Sequence, residues 1–185
     1  MSVPSCRATG ALTCAALALL ASPLVQANNT VGAWDPKLYS WPLIPVHAVL
    51  TPDMRVMSYG TDGIARQTGY FIYDIWDLNA GLDGGHLTLD NVTNTDIFCG
   101  SQVVLPQGGS VFLAGGDNWT GTGTTNTGNN NSNLLTLSSN VLARGNNMNR
   151  ARWYSGSTVL LNGEVYIQGG SSGTDRPEVD RKSVV

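Results

Sequence analysis

Ser101-Gln102-Val103-Val104-Leu105-Pro106-Gln107-Gly108-Gly109-Ser110-Val111-Phe112-Leu113-Ala114-Gly115-Gly116 is the stretch on which the fold turns. A run rich in β-branched residues enters a turn made of Pro and Gly, and a second apolar run leaves it and stops at two glycines. That order of residue types is the signature of a β-hairpin. Two other stretches repeat it: residues 47–60, turning at Pro52-Asp53, and residues 157–170, turning at Asn162-Gly163.

The valines that follow the three turns, Val56, Val111 and Val165, lie 55 and 54 residues apart. A period near 50 with a closing glycine pair is that of a kelch-type β-propeller, in which each repeat is one four-stranded blade. Where a strand ends against neighbouring backbone, glycine turns the chain without a side chain in the way. Residues 70–76 supply a third strand, followed by a turn through 77–81, and residues 133–137 supply its equivalent one blade later. Between Asn118 and Asn133 runs a Gly/Thr/Asn tract with almost nothing apolar to bury, read as a surface loop. Trp119 in that loop is expected to be the most exposed aromatic and a candidate for stacking on sugar.

Outside these repeats the chain begins with an address. Arg7, an apolar run over residues 11–24 broken at Pro23, and the small residues Val25 and Ala27 make 1–27 a secretory signal peptide. The run is too short and too interrupted for a transmembrane helix, so no stable membrane insertion is expected after cleavage. The remaining 28–185 hold 158 residues, with nine basic against thirteen acidic side chains, a balance of −4. No basic patch is available for a nucleic-acid backbone, so no nucleic acid is expected among the partners. Low charge with abundant Gly, Asn, Ser and Thr favours strands joined by turns, an all-β chain. At about 54 residues per repeat this length makes about three blades, whereas propellers close with 4–8, so the propeller is expected to be incomplete. Residues 180–185 show neither a turn nor a closing strand.

Cysteine usage adds a question. Cys6 and Cys14 leave with the signal peptide, and the exported chain keeps Cys99 alone. A single thiol makes no internal disulfide; it is inert in a core, bonded to another molecule, or used in chemistry.

Three segments carry a resemblance. Gly32-Ala33-Trp34 through Trp41-Pro42-Leu43-Ile44-Pro45-Val46-His47-Ala48 resembles the first propeller strand of galactose oxidase-like and glyoxal oxidase-like copper radical oxidases. Asn94-Thr95-Asp96-Ile97-Phe98-Cys99 is similar to that family's Asp-hydrophobic-Phe-Cys motif, and Met148-Asn149-Arg150-Ala151-Arg152-Trp153-Tyr154-Ser155 to its Arg-x-Tyr element one blade on. The resemblance implies a thioether between Cys99 and Tyr154, a protein-derived radical cofactor, with Tyr154 also ligating copper. The implied reaction takes a small primary alcohol, aldehyde or carbohydrate and molecular oxygen to the oxidised product and hydrogen peroxide. The family's second tyrosine and two histidine ligands have no counterpart here, so this chain alone is expected to be inactive. Its tryptophan stacked over the thioether is also missing, since Ser172 follows Gly169-Gly170-Ser171, and a preference for galactose is not implied.

The other residues of interest have plainer expectations. His47 opens a strand and His86 follows Gly84-Gly85 in a turn-rich linker, and both are read as structural or solvated. Trp34, Trp41, Trp76 and Trp153 fit blade packing, while Phe98 lines the copper site or packs the core. Arg150 and Arg152 are candidates for orienting a substrate, with exposed strand charges the commoner explanation. Asn28, Asn91, Asn118 and Asn130 open Asn-x-Ser/Thr triplets, glycan acceptors in a eukaryotic secretory pathway. The competing reading is a non-catalytic secreted propeller module that binds carbohydrate or protein.

Overall fold

A computed structural model describes Gly32, residues 35–172 and the backbone of 179–182. The chain divides into two units, Met1–Leu38 and Tyr39–Val185. The described part of the first is a short turn in which the Lys37 amide donates to Asp35 Oδ1 at 2.9 Å. The expected signal peptide over residues 1–27, Trp34, Asn28 and the first two cysteines lie outside the described residues.

The second unit is all-β. β1 (Ile44–Leu50), β2 (Arg55–Thr61), β3 (Ile72–Asp77) and β4 (His86–Asp90) form one antiparallel sheet in chain order. β5 (Ser101–Val104), β6 (Val111–Ala114), β7 (Ser132–Thr136) and β8 (Val141–Arg144) form a second. β9 (Trp153–Val159), β10 (Val165–Ser171) and β11 (Val179–Lys182) form a third. The three hairpins read from sequence hold in register. Val56 pairs with Leu50, Val111 with Val104 and Val165 with Val159, each valine closing the ladder beside its turn.

Three expectations change. His86 does not sit in a linker; it begins β4, where it pairs with Trp76. Residues 179–182 are a strand, not an unstructured end, because the backbone of β10 offers a free edge and pairs Gln168 with Val179 through to Val165 with Lys182. A polar edge strand carries no hydrophobic alternation, so pairing rather than pattern creates it. The 118–133 tract is not a free loop: it folds back at the Trp119–Thr124 bridge and is tied to the segment before β9 by the Asn129–Arg152 bridge.

Strand alternation places the core. Along β6, Val111 and Leu113 face the first sheet and meet Met57, Tyr59, Tyr73 and Ile75. Phe112 and Ala114 point the other way and meet Leu105, Met148, Val165 and Ile167. Period-two alternation thus feeds two cores from one strand, and all four of its residues are buried. Stacking sheets in this way, each covering the face of the next, is a propeller-like arrangement. Among the described residues no helix is long and apolar enough to cross a membrane.

Candidate functional site

The segment that ends at Cys99 is built by side chains gripping backbone. Asn91 donates to the carbonyls of Gly69 and Thr95 at 2.7 and 2.9 Å, and Asp96 Oδ1 accepts the Phe98 amide at 3.1 Å. These bonds force a tight turn, and Cys99 takes φ +62°. Tyr154, near the start of β9, takes φ +59°. Left-handed backbone is uncommon for residues other than glycine, and an observed outlier is a pointer to function. The two outliers are joined to each other: the Tyr154 amide donates to the Cys99 carbonyl at 2.9 Å.

What lets these segments meet is the glycine pair of the second hairpin. Gly115 and Gly116 have φ +72° and +129°, and a Cβ on them would lie 2.2 Å from the Arg152 carbonyl oxygen and 2.0 Å from that of Asp96. The Gly116 amide donates to the Arg152 carbonyl at 3.0 Å, and the Asp117 amide to Phe98 at 2.8 Å. Asn129 completes the scaffold, its side-chain amide donating to the Asp96 and Asp117 carbonyls at 3.0 and 2.6 Å. Sequence reading assigned the polar tract no such role, because Asn129 acts through contacts distant in the chain.

The two side chains interact. Contact with the Cys99 thiol is the main cause that raises the Tyr154 pKa, with burial and the charge of Asp117 adding to it. Burial raises the Cys99 thiol above its ordinary value, against the opposing contacts with Tyr154 and Trp153. Trp153 therefore lies near the sulfur, although its indole nitrogen makes no hydrogen bond of ordinary geometry. Both groups are neutral near pH 7. A protonated thiol is a poor nucleophile, so the arrangement does not suit thiolate catalysis. A sulfur held at a phenol suits oxidative coupling. Beneath them lie the buried carboxylates Asp96 and Asp117. Burial, with the charge of Asp117, pushes Asp96 up to about 6.

His47 is the site residue that the sequence undervalued. Its Nε2 accepts the Cys99 amide at 3.1 Å. The imidazole stacks on Tyr59 with centroids 4.9 Å apart and meets the edge of Phe98 at 5.3 Å. A cavity of about 360 Å³ is lined by His47, Cys99, Tyr154 and the hydroxyls of Ser101, Ser155 and Ser157. Ser101 and Ser155 are 3.1 Å apart through their oxygens.

The described residues do not complete a copper site. Copper(II) among nitrogen and oxygen donors takes a square or tetragonal set. Tyr154, 61% exposed, offers one phenol oxygen. His47 is engaged by the Cys99 amide, and His86 Nδ1 lies 2.7 Å from Asp74 Oδ2, between Trp41 and Trp76. Among the described residues no three His, Cys, Asp or Glu side chains cluster to hold a metal.

Other expectations are corrected by packing. Trp119 is half-buried, stacked on Tyr70 at 5.7 Å and edge-on to Phe71 at 4.8 Å, so it is not the freely exposed aromatic expected from the sequence. Arg152 is fully buried and donates to the Gly169 carbonyl, while Arg150 is exposed. Asn91 is buried with its amide nitrogen in use, which leaves no room for a glycan. The Asn118 side-chain amide is likewise committed, to Thr127 and Gly128.

No protein-family model and no curated protein matches the chain. Among solved structures it is similar to one described as a novel fungal alcohol oxidase with catalytic diversity among the AA5 family, in complex with copper. The TM-score is 0.57 at 19% identity, over 76% of this chain and 28% of that one. The chain thus spans little more than a quarter of that protein's length, and the likeness is one of fold.

Proposed function

We propose that this chain is the N-terminal part of a secreted, kelch-type copper radical oxidase that converts small primary alcohols, aldehydes or carbohydrates with oxygen to oxidised product and hydrogen peroxide. One observation carries the reading. Cys99 and Tyr154, far apart in sequence, are both held in left-handed backbone, bonded amide to carbonyl, and line one cavity. The fold likeness to a copper-containing alcohol oxidase supports the same reading. A thioether on the Tyr154 ring would donate electron density and ease removal of an electron from the phenol. Copper, when bound, supplies one-electron redox chemistry beside that ring, and such chemistry belongs to the cofactor while the protein places it. The remaining ligands lie outside the described residues.

The test is chemical. The protein expressed from its full reading frame is loaded with copper in air, reduced with thiol and digested. A Cys99 peptide joined to a Tyr154 peptide, two hydrogens lighter than their sum, is the expected product. Separate peptides with a free thiol would remove the oxidase and leave a secreted binding module.

A further inference from the structure

We propose that His47 is a positioning residue whose Nε2 fixes the left-handed Cys99 turn against Tyr154. What the positioning is for rests on the function proposed above; the hydrogen bond itself does not.

The Cys99 peptide unit is held from two directions. Its carbonyl accepts the Tyr154 amide at 2.9 Å, and its own amide donates to His47 Nε2 at 3.1 Å. The donors and acceptors come from three different sheets or their loops, so the turn is defined by tertiary contacts and not by its own sequence. At φ +62° such a turn needs outside support, since a residue with a side chain gives up conformational energy there. A slip in the β1–β2 register between Ile44 and His47 marks an irregularity just before the histidine. Irregularities of this kind re-aim a side chain. Tyr59 and Phe98 then fix the plane of the ring.

Accepting at Nε2 requires a neutral imidazole with its proton on Nδ1. Burial lowers the pKa of His47 and so favours that form. The ring lines the same cavity as Cys99 and Tyr154. The contact that the ring makes with Cys99 is to its amide, so His47 acts on the backbone from which the sulfur projects.

The coupling to be read has a simple balance. The S–H bond of Cys99 and a ring C–H bond of Tyr154 break, a C–S bond forms, and two protons and two electrons pass to molecular oxygen, giving hydrogen peroxide. Two variants separate the roles of the ring. His47→Phe keeps the stacking surface but loses the acceptor, and His47→Gln restores an acceptor on a side chain of similar reach.

In the full-length, copper-loaded protein, His47→Phe is expected to slow appearance of the joined peptide several-fold, up to about tenfold, the range set by one ordinary hydrogen bond. His47→Gln is expected to recover most of the rate. Equal rates in wild type and His47→Phe would overturn the proposal while leaving the oxidase reading intact. If even the wild type forms no joined peptide, the oxidase reading fails, and hydrogen exchange at the Cys99 amide decides the positioning on its own. Protection lost about tenfold in His47→Phe and kept in His47→Gln supports it. Unchanged protection in His47→Phe rejects it.

Discussion

The Cys99 turn and the Tyr154 strand are the two halves of one candidate centre, and they are built in opposite ways. Cys99 is 1% exposed, whereas Tyr154 is 61% exposed on β9. The first is enclosed by Asn91, Asp96, His47 and the glycine pair, all within the described fold. The second is tied by its backbone and left open along its ring. The contrast teaches that the fold presets the sulfur and leaves the phenol available to whatever completes the site.

The strongest way to break that contrast is to destroy the enclosure. Gly116→Ala would set a Cβ 2.0 Å from the Asp96 carbonyl oxygen at a backbone angle that alanine resists. It is expected to cost more than about 3 kcal/mol, read as a fall in the denaturant midpoint.

The next effect comes from the carboxylate below the turn. In the folded protein Asp96 titrates at about 6, against an ordinary value of 3.8. The native state therefore holds a proton that the unfolded chain has lost across this window. Its stabilising contribution is full below pH 3.8 and disappears as pH rises through 6. The loss is roughly 2–3 kcal/mol. Asp96→Asn still offers an acceptor to the Phe98 amide and should flatten that part of the stability profile between pH 4 and pH 7. A profile as steep as wild type would show that another group is responsible.

The smallest structural effect belongs to the open half. Tyr154→Phe keeps the ring and removes only the hydroxyl of a residue that is 61% exposed, so stability should change by less than about 0.5 kcal/mol. If the oxidase reading holds, the same change abolishes peroxide production by the full-length, copper-loaded protein. A large drop in melting temperature would mean that the phenol is structural, and the contrast between the halves would fail.

Much of the fold was legible because it is local. Alternating apolar runs, turn residues and a recurring valine are written within each hairpin, and the register bears them out. The position of Cys99 beside Tyr154 was legible only through resemblance, since no local pattern links residues 55 apart. What stayed hidden was set by sheet-on-sheet packing. His47 is 52 residues from the amide it binds, and nothing around Val46 or Ala48 announces that role. Arg152 looks like any strand charge until folding buries it completely. Asn129 sat in a tract whose composition argued for a loop, yet its amide bridges two carbonyls that no neighbour in sequence could reach.

β6 has a further consequence. With Val111 and Leu113 committed to one core and Phe112 and Ala114 to the other, it gives water no side from which to enter. Peeling either outer sheet away would still leave it half covered, so its amides should be among the last to exchange with solvent. The glycine pair at its end inherits that persistence. Local openings that loosen the loops would then leave the wedge between Asp96 and Arg152 in place, and the turn could re-form on a template that never melted.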